Sequence, residues 1–176
     1  RDLIASFSQK FPENPDLLTL LAEAEDQCGD LRSAETAAKK ALDIKPTEQR
    51  IHMLLGRIVE KNGNLDRAAY YYSQAVSLDG MQIDGYLKLS QVYIKQREFQ
   101  KARRVLEQGI ANIPGNVELY LTCAALFKEA KDYRGAELML RKASQIEPRN
   151  VSIHRQLGAI LALNMVHQSQ EVGSQV

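Results

Sequence analysis

Proline, or glycine in its place, returns every 34 residues along this chain of 176: Pro12, Pro46, Gly80, Pro114 and Pro148. Other residues keep the same interval. Ala34, Ala68, Ala102 and Ala136 form one column, and Ala22, Gly56, Ser90, Ala124 and Gly158 form another that is uniformly small. Leu21, Leu55, Leu89, Cys123 and Leu157 make a third, while Leu31, Leu65, Phe99 and Tyr133 are always large and apolar. A fixed period of this kind marks stacked supersecondary units, in which no unit buries its apolar face alone and each completes the core of the next. The chain is therefore expected to be one elongated array, built for binding more than for catalysis.

The period from Gln49 to Gln82 shows how the pattern becomes structure. Ile51, Leu54, Leu55, Ile58 and Val59 recur at intervals of three and four, which is one face of a helix. Asn62-Gly63-Asn64 breaks it: Gly63 suits a left-handed helix C-terminus and Asn64 the cap of a following helix. Leu65, Ala68, Ala69, Tyr72, Ala75 and Val76 then give the second helix its own stripe. The turn recurs at Cys28-Gly29-Asp30 and, without glycine, at Gln96-Arg97-Glu98 and Lys131-Asp132. Small columns let helix axes approach while large ones fill the spaces between them. Each proline ends a second helix, because it lacks an amide hydrogen and disfavours helix in the residue before it.

These residues resemble the tetratricopeptide repeat family: Leu55-Gly56 followed by Gly63, Leu65, Ala68, Tyr72, Ala75 and Gly80, then Ala136, Ala143 and Pro148. The resemblance covers residues 1 to 165. It implies an all-α, right-handed superhelical solenoid of antiparallel helix-turn-helix repeats. Full repeats are expected at 15–48, 49–82, 83–116 and 117–150, preceded by a partial repeat at 1–14 with a second helix over 1–11. A first helix over about 151–163 opens a partial repeat at 151–165, and 166–176 is expected to be a polar tail or a frayed helix. Leu18 and His52 take the place of the family's aromatic residue, which returns as Tyr86 and Tyr120, and Gly109 replaces an alanine.

The resemblance also implies that first helices line a concave groove where a partner lies as an extended peptide or a helix. Helical geometry assigns the inward places to Leu20 in the first full repeat and to Arg50, Met53, Leu54 and Arg57 in the second. Leu87, Lys88, Gln91 and Ile94 follow in the third, and Leu121, Thr122 and Ala125 in the fourth. Met53, Leu87 and Leu121 stand one period apart and are expected to form an exposed apolar row flanked by Leu54 and Ile94, suited to an amphipathic helix or an apolar peptide. The alternative is that these side chains pack on each other or lie under another part of the polypeptide. Arg50, Arg57, Lys61, Lys88 and Lys95 make the middle of the groove positive, which favours a partner segment with some acidic residues. The family's clamp for chaperone C-termini is disfavoured, because Thr19 and Glu23, or Met53 and Arg57 followed by Lys88, do not supply its lysine, asparagine and arginine set.

The expected function is a scaffold for protein–protein interaction. Two other readings remain: self-assembly through open ends at Leu3, Ile4 and Phe7 or at Ile160 and Leu161, and a docking or regulatory segment of a larger enzyme or of a secretion or export protein. A net charge of +1 gives no reason to expect nucleic acid or an anionic membrane surface. No stretch reaches the roughly 20 apolar residues of a membrane span; the chain is expected to be soluble, with cytoplasm and periplasm both open and the compartment not fixed by the sequence. Beginning at Arg1 in mid-repeat, the sequence reads as a fragment.

Phosphate-cradling glycine loops, zinc-protease helix motifs and metal-spaced cysteines are absent from the sequence, so no enzyme activity, cofactor or metal is expected. Cys28 and Cys123 lie nearly three periods apart. At about 10 Å per stacked repeat they cannot meet the roughly 7 Å limit of a disulfide, and they are read as small buried apolar side chains. His52 and His154 share a column too widely spaced for a common metal, and Tyr72 falls in a core column beside the outer Tyr70 and Tyr71. Asn150-Val151-Ser152 matches the glycosylation acceptor pattern.

Overall fold

A computed structural model describes residue 6 and residues 13–173. Among the described residues there are nine helices and no strand: α1 Pro15–Cys28, α2 Leu31–Ile44, α3 Gln49–Lys61, α4 Leu65–Leu78, α5 Ile83–Lys95, α6 Phe99–Asn112, α7 Val117–Glu129, α8 Tyr133–Ile146 and α9 Val151–Gly173. The expected helix over 1–11 and the open end at Leu3, Ile4 and Phe7 lie outside the described residues. Two compact units divide between Glu98 and Phe99. In the first, hairpins α1/α2 and α3/α4 pack in succession and α5 packs on α4; in the second, α6 packs on α7, α7/α8 form a hairpin and α9 packs on α8.

The turn that ends each of the first helices α1, α3, α5 and α7 is built the same way each time. Gly29 and Gly63 stand in the left-handed region, at φ 83° and 81°, and Arg97 and Lys131 occupy the equivalent places at 61° and 60°. The residue after each closes a six-residue loop by donating its backbone N–H: Asp30 to Glu25, Asn64 to Val59, Glu98 to Tyr93 and Asp132 to Phe127, at 2.8–3.0 Å. Asp30, Asn64 and Asp132 then cap the next helix through a side-chain oxygen that accepts from Ser33, Arg67 and Gly135 N–H. Two residues thus stop one helix and start the next.

At the corresponding places of the last period stand Met165 and Val166, and there α9 runs on without a break to Gly173. Arg97 and Lys131 show that a side chain is tolerated in the left-handed place, at a cost of about 1 kcal/mol. Val166 adds a second difference, since a valine offers no oxygen to cap a following helix. The helix continues over residues 166–173, within the stretch expected to be a polar tail or a frayed helix.

The small columns lie deepest, whereas of the expected large column Leu31, Leu65 and Tyr133 are only partly buried and Phe99 is exposed. Ala34, Ala68, Ala102 and Ala136 are fully buried, and so are Ala22 and Ser90 of the small column. Gly158, the last of that column, is exposed, because no second helix packs back on α9 among the described residues. Large residues face the small ones: Tyr72 lies over Gly56 so closely that a Cβ there would meet its ring at 2.6 Å. Every second helix is followed by Pro46, Gly80, Pro114 or Pro148.

Candidate interaction face

Within the first unit, α1, α3 and α5 present one continuous side that carries most of the expected contact residues. A cleft of about 290 Å³ opens there, lined by Arg50, Met53 and Arg57 of α3 and by Asp84 and Lys88 of α5, with Tyr72 of α4 behind them. Leu54 also reaches it, but belongs to the core cluster of α1, α2 and α3.

The expected row of exposed apolar side chains is not what this face presents. Leu54 and Leu87 are buried, at 4% and 7% exposure, and Met53 is partly buried. Leucines on a helix that has helices on both sides are drawn into the packing between them, where burial of a Leu side chain is worth about 1.5–3 kcal/mol. Leu20, Lys88 and Gln91 are exposed and Ile94 is partly buried. In the second unit Leu121 packs against the cluster of Tyr120, Ala143 and Ile153, Thr122 is partly buried and donates its hydroxyl to the Glu118 carbonyl, and Ala125 is exposed.

Electrostatics dominate the first-unit face. Arg50 grips Glu23 with Nη2 at 2.9 and 3.0 Å from the two carboxylate oxygens. Arg57 Nε and Lys61 Nζ meet Asp26 at 3.1 and 2.7 Å, and Lys95 Nζ meets Glu60 at 2.6 Å. The last two pairs are one device repeated, a carboxylate near the end of one first helix held by the lysine that ends the next. Sequence reasoning placed the cations here and missed that acids beneath them are their partners. The signal was present in Asp26 and Glu60, which share a column one residue before Lys61 and Lys95 once shifted by a period.

Burial by itself would raise the Glu60 carboxyl, but hydrogen bonds from Lys95 and from the Tyr72 hydroxyl at 2.8 Å outweigh it, and the group titrates below its ordinary range. Tyr72 is pushed far above its own ordinary value by burial and by that carboxylate, so it remains a donor. Away from this face, Glu35 on α2 is lowered first by the Lys39 ammonium and, against some burial, by Arg67.

The second unit holds a cleft of about 120 Å³ that overlaps the equivalent place, 68 residues further on. Arg57, Tyr72 and Lys88 are replaced there by Ala125, Leu140 and Gln156, and Ala159 and Leu163 complete an apolar lining with Lys128. No group of three or more histidine, cysteine or acidic side chains able to hold a metal occurs among the described residues, and no described helix is long and apolar enough to cross a membrane.

A sequence profile described as tetratricopeptide repeat matches residues 3–58 and 61–126. Among curated proteins, the BBSome complex member BBS4 homolog of Drosophila melanogaster is 28% identical over 82 residues, 47% of this chain and 17% of that one. The chain spans no more than a quarter of the length of the curated relatives it matches. Among solved structures, MamA protein superimposes with a TM-score of 0.73 at 19% identity, covering 90% of this chain and 86% of that one. YrrB, described as a TPR protein with an unusual peptide-binding site, superimposes with a TM-score of 0.70 at 13% identity over 92% and 84%. At such identities the structures show the fold, an all-α array of helical repeats.

Proposed function

Because this chain belongs to the tetratricopeptide repeat family, whose fold serves as a scaffold for protein–protein interaction, we propose that it captures a segment of a partner protein on the side of the first unit formed by α1, α3 and α5. The observation that carries this reading is the cleft between α3 and α5, where Met53 lies among Arg50, Arg57 and Lys88. A methionine framed by cations offers an adaptable apolar contact and fixed polar ones in the same place. YrrB, with the same fold and a peptide-binding site of its own, supports it. Chemistry on the partner is not part of the proposal: the role is to hold. The residues assigned to the face are Leu20, Arg50, Met53, Arg57, Lys88, Gln91 and Ile94, with Leu54 and Leu87 as its buried support. Full repeats at 15–48, 49–82, 83–116 and 117–150 are the proposed units.

The test is a Met53→Glu variant. Met53 is only partly buried, so the substitution puts charge on the surface and not into the core; capture of partners from lysate should fall while helicity is unchanged. Capture identical to that of the parent chain would remove this face from the account.

A second reading, self-association, has its own observation. Of the expected open end, Ile160 is buried and Leu161 partly buried, but Leu163, Met165 and Val166 further along α9 are 39%, 70% and 56% exposed. A sedimentation mass that stays monomeric as concentration rises would count against it.

A further inference from the structure

The charges on the first-unit face are sorted by depth. Asp26, Glu60 and Glu23 keep 2%, 15% and 27% of their side-chain surface, whereas their partners Arg57, Lys61, Lys95 and Arg50 keep 47–61%. The carboxylates form the floor and the cations stand above them. Each carboxylate is engaged, but the cations are not used up: a guanidinium carries five N–H donors and an ammonium three, and Arg57 meets Asp26 through Nε. Lys88 on the cleft wall faces Glu60 only electrostatically.

Resting on the reading of this face as a partner site, we propose that the cleft between α3 and α5 takes acidic side chains of the partner segment. An aspartate or glutamate fits it in both parts: the aliphatic stem lies on Met53 and the carboxylate meets Arg50, Arg57 and Lys88. Acids at the floor hold Arg50 and Arg57 in place before the ligand arrives, which lowers the ordering cost of binding. Asp84 stands at the rim in the first turn of α5, where it complements the helix dipole. The equivalent cleft of the second unit sharpens the assignment, since Ala125 and Gln156 replace Arg57 and Lys88 there. Lys128 is the one cation lining that cleft, so Arg57 and Lys88 are not features of the repeat as such.

The experiment is selection at low salt from a random-sequence synthetic peptide library in which every peptide is acetylated and amidated, so that side chains are the only carboxylates. The pool captured by the parent chain should be enriched in Asp and Glu over the input. An Arg50→Gln/Lys88→Gln variant, checked for helicity, should lose that enrichment and bind the leading acidic peptide about tenfold more weakly for each cation removed. Lys88→Gln alone breaks no hydrogen bond to an acid of the floor and guards against misfolding of the double variant. Ala125→Glu, in the second unit, should leave acid selection unchanged. A pool that is captured and lost with Met53→Glu but shows no acid enrichment overturns this inference and leaves the partner face standing. Acid enrichment that survives the Arg50/Lys88 change, or that vanishes with Ala125→Glu, overturns the assignment to this cleft. Capture no better than that of Met53→Glu overturns the inference and the partner face together.

Discussion

His52 donates from Nε2 to the carbonyl oxygen of Pro46, six residues earlier and 2.9 Å away. The same tie joins His154 to Pro148 at 2.7 Å and, with a phenol for an imidazole, Tyr86 to Gly80 at 3.1 Å. In each case a connection between repeats, opened by the residue that ends a second helix, is pinned to the first helix after it. A carbonyl can only accept, so His52 carries its proton on Nε2, and its Nδ1 is buried without a partner.

The hydrogen bond predicts a ranking at position 52. His52→Leu, which copies Leu18, should cost about 1 kcal/mol, and His52→Tyr, which copies Tyr86, should cost less than half of that. Urea denaturation followed by circular dichroism gives both values; equal losses would show that the tie contributes nothing.

A double-mutant cycle tests the contact between Gly56 and Tyr72. Gly56→Ala drives a Cβ to 2.6 Å from the ring and should cost about 1–3 kcal/mol. Tyr72→Leu loses a large buried ring and the bond to Glu60, a cost of about 2 kcal/mol or more. Together they recreate the Ala124 and Leu140 pair of the second unit, so the double variant should lose at least about 1 kcal/mol less than the sum. Strict additivity would mean that the two sites do not share a constraint.

Acid should destabilise the fold in part through Glu60. Its folded pKa lies below the ordinary 4.5, so its stabilising contribution is complete above that value and is lost as pH falls through the folded one. Glu35 adds a contribution of the same sign. The urea midpoint of the parent chain should therefore drop more on going from neutral pH to about pH 3 than that of Glu60→Gln. Parallel pH profiles would take Glu60 out of the linkage.

The two cysteines should separate cleanly in a thiol assay. Cys123 is fully buried and burial pushes its thiol up to about 12, whereas Cys28 is exposed. One thiol should react with a disulfide reagent in the native protein and both in urea. Rapid reaction of both in the native state would contradict the burial of Cys123.

Much of the fold was legible because its signals are local. Gly29 and Gly63 with their capping neighbours, and the proline column, act within a few residues of themselves, so the sequence alone locates the turns. Leu54 and Leu87 were read as exposed because a helical wheel shows which side a residue is on and not how closely the adjacent helix covers it. Asp26 and Glu60 were hard to place for the same reason: their partners are 35 residues away. Cys28 was read as a small buried side chain, yet it sits at the last residue of α1, where the chain turns and exposes it. Where α9 runs on past position 165, Val166 lacks the capping oxygen that Asp30, Asn64 and Asp132 supply at the turns, a difference that the polarity of the residues after it obscured.

The central claim, that partners dock on the side of the first unit formed by α1, α3 and α5, is tested most directly by photo-crosslinking in lysate. A photoreactive side chain is placed at position 53 in one protein and, in another, at Tyr70, which is 58% exposed on the second helix of the same hairpin. The account predicts discrete adducts from position 53 that are absent from position 70. Adducts from position 70 alone, or the same set from both, would contradict it.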